Sequence, residues 1–207
     1  AVADQNLVGL CQGRMEFGPR ALGGRSILAD ARSADMQSYL NLATKFRESF
    51  RPFAPIVLAE DAADYFASIH DSPYMLLVDQ VREDRCIRSA GSGEAVPLRQ
   101  RVNQPRSDVP AITHVDYSAR VQTVDCERNP RLHSILTAFK QLTGSSIMVN
   151  TSFNVRGEPI VCTPEDAYRC FMRTGIHCLV VDNYVMWKEA QPPWPQDDGW
   201  RDAHALD

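Results

Sequence analysis

The sequence predicts one α/β domain, in which helices flank a twisted, mixed β-sheet. Strand-length apolar runs alternate with helix-length amphipathic segments, and no internal repeat interrupts that order. The 207 residues, of which 44% are apolar, are enough to build one hydrophobic core. We therefore expect a single domain over residues 1–188 and a loosely held tail over 189–207, where no period is visible.

The first half of the chain is predicted to contain four strands and two helices. Apolar runs predict strands at 7–11, 27–30, 56–59 and 74–78. A helix is expected over 34–43, because Ser33 or Asp35 can cap its free amides. A short helix is expected from Asp61 through Phe66. Residues 81–108 are polar and irregular, which indicates a long loop and the main place for disorder.

The second half is predicted to contain two strands, two helices and a closing hairpin. Residues 119–124 alternate like a half-buried strand, and 147–150 read as a buried strand that leads into a loop at 151–159. Apolar residues at helical spacing predict a helix over 131–142, which Gly144 ends. The hairpin pairs 178–181 with 184–187.

The last helix has the clearest local start signal. Thr163 is placed to be the N-cap, Pro164 occupies the first helical position, and Asp166 stands at the capping-box position. The helix is expected to run to Arg173 and to stop at Gly175.

Composition excludes several classes of protein. A net charge of -4 argues against a general binder of nucleic acid or anionic membranes, because such binding needs a basic excess. No apolar stretch approaches the roughly 20 residues that span a bilayer, and no signal peptide is visible. The six cysteines lack CxxC spacing, so we expect reduced, mostly buried thiols in a cytoplasmic protein.

Basic residues cluster in Gly- and Pro-rich loops at the ends of the predicted strands. The four clusters are Arg14, Arg20 and Arg25; Lys45, Arg47 and Arg51; Arg120; and the segment 150–157 with Asn150, Ser152, Asn154 and Arg156. Guanidinium groups offer paired donors to phosphate, and lysine supplies a compact charge. An acidic chain with this arrangement is predicted to bind a small polyanion.

Simpler interpretations remain open for several of these groups. Arg25 can pair with Asp30 or Glu16, and His114 with Asp116 is either an acid–base pair or a structural turn. No P-loop and no GxGxxG motif is present, and no His, Cys or carboxylate spacing indicates a transition-metal site. Residue patterns alone therefore predict an anion site and nothing finer.

Several long motifs resemble the C-terminal domain of O-carbamoyltransferases, the family of nodulation-factor and antibiotic-tailoring enzymes. They are 13–30 (GRMEFGPRALGGRSILAD), 45–55 (KFRESFRPFAP), 72–75 (SPYM), 110–116 (PAITHVD), 119–124 (ARVQTV) and 150–161 (NTSFNVRGEPIV). The resemblance covers about 7–188 in order. Two departures are Gly24, where many relatives carry Asn, and 81–108, where the match is weak.

This resemblance implies a YrdC-like fold and a two-step reaction. Carbamoyl phosphate and ATP would form carbamoyl adenylate in this domain, with release of pyrophosphate and with Mg²⁺ held by the ATP phosphates. A separate N-terminal domain of the sugar-kinase-like, metal-binding type would then pass the carbamoyl group to a hydroxyl. No nucleic acid and no membrane is expected as a partner.

The resemblance also implies the site residues. The family's KxR and SxN signatures fall on 45–47 and 152–154. The residues expected around carbamoyl phosphate and ATP are Arg20, Lys45, Arg47, Arg51, Arg120, Asn150, Ser152 and Asn154, with Lys45, Arg51 and Ser152 as the catalytic set. The competing hypothesis is a YrdC-like module that only docks or binds RNA or nucleotide.

Overall fold

A computed structural model describes residues 1–48, 51–68, 71–87 and 104–195 of the chain. Its centre is one sheet of eight strands in the order β4-β5-β3-β6-β2-β1-β7-β8. The strands are β1 (Val8–Cys11), β2 (Arg25–Asp30), β3 (Ala54–Leu58), β4 (Leu77–Gln80), β5 (Ser118–Val124), β6 (Ile147–Ser152), β7 (Cys178–Val181) and β8 (Tyr184–Trp187).

The strand directions are mixed, as the sequence predicts. β1 runs parallel to β7, and β3 runs parallel to β5. The other neighbouring pairs are antiparallel. The predicted α/β class, with a mixed sheet and flanking helices in one domain, is confirmed.

The described part of the chain contains four α-helices. They are α1 (Met36–Leu40), α2 (Ala62–Tyr65), α3 (Pro130–Thr143) and α4 (Pro164–Arg173). A π-helical turn, Asn41–Lys45, continues α1, so the helical stretch ends at Lys45 rather than near 43. Asp35, one of the two predicted caps, occupies the N-cap position of α1, but its side chain makes no capping hydrogen bond.

The two long helices begin and end as local chemistry dictates. Thr163 accepts from the Asp166 amide while the Asp166 side chain accepts from the Thr163 amide, so the predicted capping box is formed. Asn129 caps α3 by accepting from the Leu132 amide. Gly144 ends α3 in the left-handed region, with φ 75°.

Each face of the sheet has its own core. On one face α1, α2 and α4 cover the larger core, which includes Phe66, Phe153 and Phe171. On the other face α3 covers a smaller core through Leu132, Leu136 and Phe139. We call this second side the α3 face.

Several strands begin or end one or two residues from their predicted bounds, and two strands differ further. β4 begins at Leu77 rather than at 74, because Met75 adopts φ 56°, which an extended strand does not allow. β5 is buried along almost its whole length instead of being half-buried. Neighbouring strands lie on both sides of β5, and the loop before β2 covers its polar positions. The alternation of polar and apolar residues therefore arises from polar side chains that are buried under the loop, not from side chains that face solvent.

Two further expectations concern the predicted loop at 81–108 and the cysteine thiols. Most of the predicted loop at 81–108 lies outside the described residues; its ends are joined by a bridge between Cys86 and Ser107. All six cysteines are free, but only three are buried, so "mostly buried" is wrong for the other half: Cys86, Cys126 and Cys162.

The tail beyond 188 is described only to 195. Within that part, the Tyr168 hydroxyl donates to Gln191, and the Tyr168 and Trp194 rings meet edge to face. Residues 196–207 lie outside the described residues. Among the residues with a described structure, no helix is long and apolar enough to cross a membrane.

Candidate functional site

The candidate site begins with polar side chains on the α3 face, beyond the end of the α3 core. Asn150 and Ser152 are two residues apart on β6, and Arg120 and Gln122 are two residues apart on β5, so each pair shares a face. The Asn150 amide donates to Gln122 Oε1 at 2.8 Å across the intervening β3. The small Ala54, which pairs with Asn150 in the sheet, leaves room for this contact.

These polar groups hold the loop before β2 against the sheet. The Asn150 Nδ2 also donates to the carbonyl of Ala21, and Gln122 donates to the carbonyl of Leu22. Asn150 is 1% exposed, and its Oδ1 is buried without a donor. Asn150 therefore anchors the loop before β2 and still has one acceptor atom, Oδ1, without a hydrogen bond.

Lys45 and the SxN segment form one network. The Lys45 Nζ donates to the main-chain oxygens of Ser152 and Asn154 at 2.5 and 2.9 Å, and to Asn154 Oδ1 at 2.8 Å. The Ser152 hydroxyl donates to the same Oδ1, and the Asn154 Nδ2 donates to the carbonyl of Glu158. The KxR and SxN motifs, 107 residues apart, thus meet through direct hydrogen bonds.

The environment of the Lys45 amine is unusual. Lys45 is 4% exposed, and burial lowers the pKa of its amine to about 7. The oxygens of Ser152 and Asn154 oppose that shift, because they bind the ammonium form more strongly. All three N–H bonds of the ammonium are used within the protein, so Lys45 holds the end of β6 in place.

Arg20 and Arg120 form a pair of like charges. Burial, and then the charge of Arg20, lower the pKa of Arg120, so the two guanidinium groups are close to each other. The Nε atoms of both are buried without an acceptor. In the described part of the chain neither forms an ion pair, and Arg120 Nη2 makes only a 3.9 Å contact with the Met75 sulfur. These two cations, which have no carboxylate partner among the described residues, are the centre of the candidate anion site.

A second group of guanidiniums surrounds Lys45. Burial, followed by the charge of Arg51, lowers the pKa of Arg47, and Arg156 adds to that effect. Arg47 donates to Asn41 Oδ1 at 2.6 Å and lies over the Phe53 ring. Arg51 is exposed. Lys45 also feels the charge of Arg47, so this cluster adjoins the Lys45 network.

The structure settles the two alternatives that the sequence leaves open. Arg25 pairs with neither Asp30 nor Glu16; it donates to the main-chain oxygens of Gln12, Gly13, Gly24 and Cys162 and fixes the loop. The Asp116 carboxylate accepts from the Ser118 amide and hydroxyl, so it closes a turn. The Asp116 carboxylate therefore has the structural role, and the described contacts include no hydrogen bond between it and the His114 ring.

Sequence reasoning missed Gln122. Its signal was present as a second polar residue two positions after Arg120, which marks a polar stretch on the strand face opposite to Ala119 and Val121. Among the described residues, no group of three or more His, Cys, Asp or Glu side chains could hold a metal ion.

Comparisons with known proteins show the family of this chain. The family profile "Carbamoyltransferase C-terminus" matches residues 1–188. The chain is 57% identical to the uncharacterized protein sll1178 of Synechocystis over 206 residues, which are 100% of this chain and 34% of that protein. It is 41% identical over 190 residues to the nodulation protein NolO of Bradyrhizobium diazoefficiens, covering 90% of this chain and 31% of NolO.

A further relative has an activity in its name. The 3'-hydroxymethylcephem-O-carbamoyltransferase of Streptomyces clavuligerus is 36% identical over 191 residues, which are 92% of this chain and 30% of that enzyme. The chain thus spans about a third of the length of the curated relatives it matches. By profile and by identity, it belongs to the carbamoyltransferase C-terminus family, which includes enzymes named as O-carbamoyltransferases.

Proposed function

We propose that this chain forms carbamoyl adenylate from carbamoyl phosphate and ATP, as one step of ATP-dependent O-carbamoyl transfer to a hydroxyl. The observation that carries the proposal is the Arg20–Arg120 pair, whose buried Nε atoms have no acceptor. A phosphate supplies both the missing acceptors and the missing negative charge. The name of the Streptomyces relative supports carbamoyl transfer to an oxygen.

The atoms of carbamoyl adenylate show that its formation needs two steps: loss of phosphate from carbamoyl phosphate and loss of pyrophosphate from ATP. Carbamoyl adenylate contains one phosphorus atom, which comes from ATP, so carbamoyl phosphate must first lose its own phosphate to water. A carbamate oxygen then attacks the α-phosphorus of ATP, the bond from that phosphorus to the bridging oxygen breaks, and pyrophosphate leaves. Negative charge on the phosphoryl oxygens rises in both steps, and fixed guanidinium groups stabilise it without a proton transfer.

The proposed roles follow the geometry. Arg20 and Arg120 bind the phosphate of carbamoyl phosphate. Asn150, whose buried Oδ1 lacks a donor, accepts from the carbamoyl NH₂ group. Arg47 and Arg51 stabilise the phosphates of ATP.

Lys45 acts through its neighbours in this proposal. Its three donors bind Ser152 and Asn154, so it orients the Ser152 hydroxyl and neutralises charge at close range. Lys45 is therefore a positioning residue, and Ser152 is the group closest to it that can contact a phosphate.

Magnesium enters as part of the substrate, Mg·ATP. The side chains proposed to contact the phosphates are cationic or neutral, which suits a metal bound by phosphate oxygens rather than by the protein. The hydroxyl acceptor would bind to the rest of the longer family polypeptide, which is the proposed partner of this domain.

Pyrophosphate exchange tests the proposal. The purified domain is mixed with carbamoyl phosphate, Mg·ATP and labelled pyrophosphate, and label in ATP is measured together with phosphate release. Exchange that requires carbamoyl phosphate is the expected result. If neither carbamoyl phosphate nor ATP binds, or if RNA binds in preference to ATP at physiological salt, the proposal is wrong.

A further inference from the structure

Asn41 begins the π-helical turn that ends at Lys45, and its side chain is fully buried. Turns of this kind are rare and are frequently found at functional sites. An amide buried at such a turn needs hydrogen-bond partners, because an unsatisfied buried polar group costs free energy. Asn41 finds partners in the segment 46–51, which carries Arg47 and Arg51.

Asn41 holds Arg47 at two points. The Arg47 Nε donates to Asn41 Oδ1 at 2.6 Å, and the Arg47 amide donates to the Asn41 carbonyl at 3.3 Å. The guanidinium also lies over the Phe53 ring, 5.2 Å from its centroid. In the described part of the chain, no hydrogen bond engages the two Nη groups of Arg47, so the fixed Nε leaves both of them for a ligand.

The same side chain fixes the main chain at Arg51. Asn41 Nδ2 donates to the carbonyl of Arg51 at 2.8 Å and to the carbonyl of Gln37 at 2.9 Å. At Phe46 the chain leaves the helix with φ 48°, and the Phe46 amide donates to the Asn41 carbonyl. One buried residue therefore fastens this segment at three of its positions, 46, 47 and 51.

A neutral amide suits this task. Burial and the charges of Arg51 and Arg156 lower the pKa of Arg47, so these cations lie close enough to repel one another. Asn41 stabilises the orientation of Arg47 without cancelling its charge. A carboxylate at the same position would form an ion pair with Arg47 and would compete with an anionic ligand for it.

We propose that Asn41 is a positioning residue, which orients Arg47 and Arg51 toward the ATP phosphates without contacting the substrate. The inference rests on the proposed function, which assigns those phosphates to Arg47 and Arg51. A guanidinium that is oriented in advance loses less conformational freedom when a phosphate binds, so its contribution to affinity is larger. Carbamoyl phosphate, which is assigned to Arg20 and Arg120, should not depend on Asn41.

The test uses Mg·tripolyphosphate as the probe in calorimetry, because it carries the phosphates without a nucleoside and without an adenylation step. Asn41→Leu removes the amide and keeps a similar shape. Thr44→Val is the matched control: Thr44 is equally buried in the same π-turn, and its hydroxyl donates to the carbonyl of Leu40 at 2.6 Å. We expect Asn41→Leu to weaken tripolyphosphate binding about 10- to 100-fold and Thr44→Val to leave it unchanged. Carbamoyl phosphate should bind both variants as it binds the unmodified protein.

Two further variants separate positioning from a purely structural role. In an Arg47→Ala background, Asn41→Leu should weaken tripolyphosphate binding by a smaller factor, because residues that act through one another are not additive. Asn41→Asp keeps the acceptor for Arg47 Nε but neutralises the guanidinium charge, so it should weaken tripolyphosphate binding even where Asn41→Leu folds poorly. Unchanged affinity in Asn41→Asp, or additive losses in the double variant, would overturn the inference.

Pyrophosphate exchange gives a kinetic readout of the same role. Asn41→Leu should raise KM for Mg·ATP and leave KM for carbamoyl phosphate unchanged. A variant that only loses structure contains less active protein, which lowers kcat and changes neither KM. Loss of kcat alone, or an equal rise of both KM values, would show that Asn41 does not position the two arginines.

Failure of this inference and failure of the proposed function are separable. If exchange requires carbamoyl phosphate but the Asn41 variants bind tripolyphosphate like the unmodified protein, the positioning role is wrong and the adenylation stands. If Asn41→Leu weakens tripolyphosphate binding but the unmodified protein shows no exchange, Asn41 positions the arginines for a polyphosphate and the adenylation is wrong.

Discussion

The Nζ of Lys45 lies 2.5 Å from the main-chain oxygen of Ser152, although the two residues are 107 positions apart. This bond joins the end of the α1 helical stretch to the end of β6. It makes a buried cation the link between two loops that carry the candidate site.

Removing this cation should affect stability and activity together. Lys45→Met leaves the Ser152 and Asn154 oxygens without their donor, which we expect to lower the free energy of unfolding by about 1–3 kcal/mol. Exchange of pyrophosphate should be lost. Urea denaturation measures the first effect, and Arg82→Met serves as the control because the Arg82–Asp84 ion pair is exposed on both sides. Equal stability of the two variants would contradict the prediction.

Binding of carbamoyl phosphate at pH 8 should take up a proton. Burial lowers the pKa of Lys45 to about 7 in the free protein, so the ammonium form, which donates all three N–H bonds, is lost as the pH rises through 7. A bound phosphate favours the ammonium form and raises that pKa, so binding and protonation are linked. Calorimetry in buffers of different ionisation enthalpy should show close to one proton taken up, and Lys45→Met should show none. Proton release would have the wrong sign for this mechanism.

The arginine pair should provide most of the affinity for carbamoyl phosphate. Loss of a charged hydrogen-bond donor costs about 1.5–3 kcal/mol, so Arg20→Ala and Arg120→Ala should each weaken binding about 10- to 100-fold. Arg82→Ala is the control, since Arg82 is exposed and pairs with Asp84. The double variant should lose less than the sum of the single effects, because one phosphate bridges both side chains. Simple additivity would indicate separate sites.

The loop over β5 should depend on a glycine. Gly23 has φ +116°, and an added Cβ would lie 2.6 Å from the Leu132 Cδ2. We expect Gly23→Ala to cost about 1–3 kcal/mol of stability and to weaken carbamoyl phosphate binding, because Arg20 lies just before this turn.

Gly13→Ala is the control that separates the cost of backbone strain from the cost of the steric contact with Leu132. Gly13 has φ +55° but nothing within 4 Å of an added Cβ, so only the backbone cost of about 1 kcal/mol should appear. Thermal unfolding measures both variants. A larger loss for Gly13→Ala than for Gly23→Ala would show that the contact with Leu132 does not control the loop.

Local signals were sufficient for the elements whose ends depend on nearby residues. Thr163, Pro164 and Asp166 predict the start of α4 because capping uses groups within three residues of each other. The hairpin of β7 and β8 is predicted at its observed bounds because its two strands are separated only by the turn residues Asp182 and Asn183. The sheet class followed from the alternation of strands and helices, and the candidate cations followed from their loops and from the resemblance.

The tertiary structure decided what each side chain does. Sequence places Lys45 and Arg25 among possible phosphate ligands, but the fold surrounds Lys45 with oxygens and turns Arg25 toward four main-chain carbonyls. It also leaves Leu77 and Val78 exposed on the edge strand β4, although both side chains are apolar. The oxygens that bind Lys45 lie 107 and 109 residues away, and the Cys162 carbonyl that binds Arg25 lies 137 residues away, so no local pattern contains that information. By itself the sequence determined which residues carry charge and where helices begin; long-range packing determined which of those charges remain unneutralised.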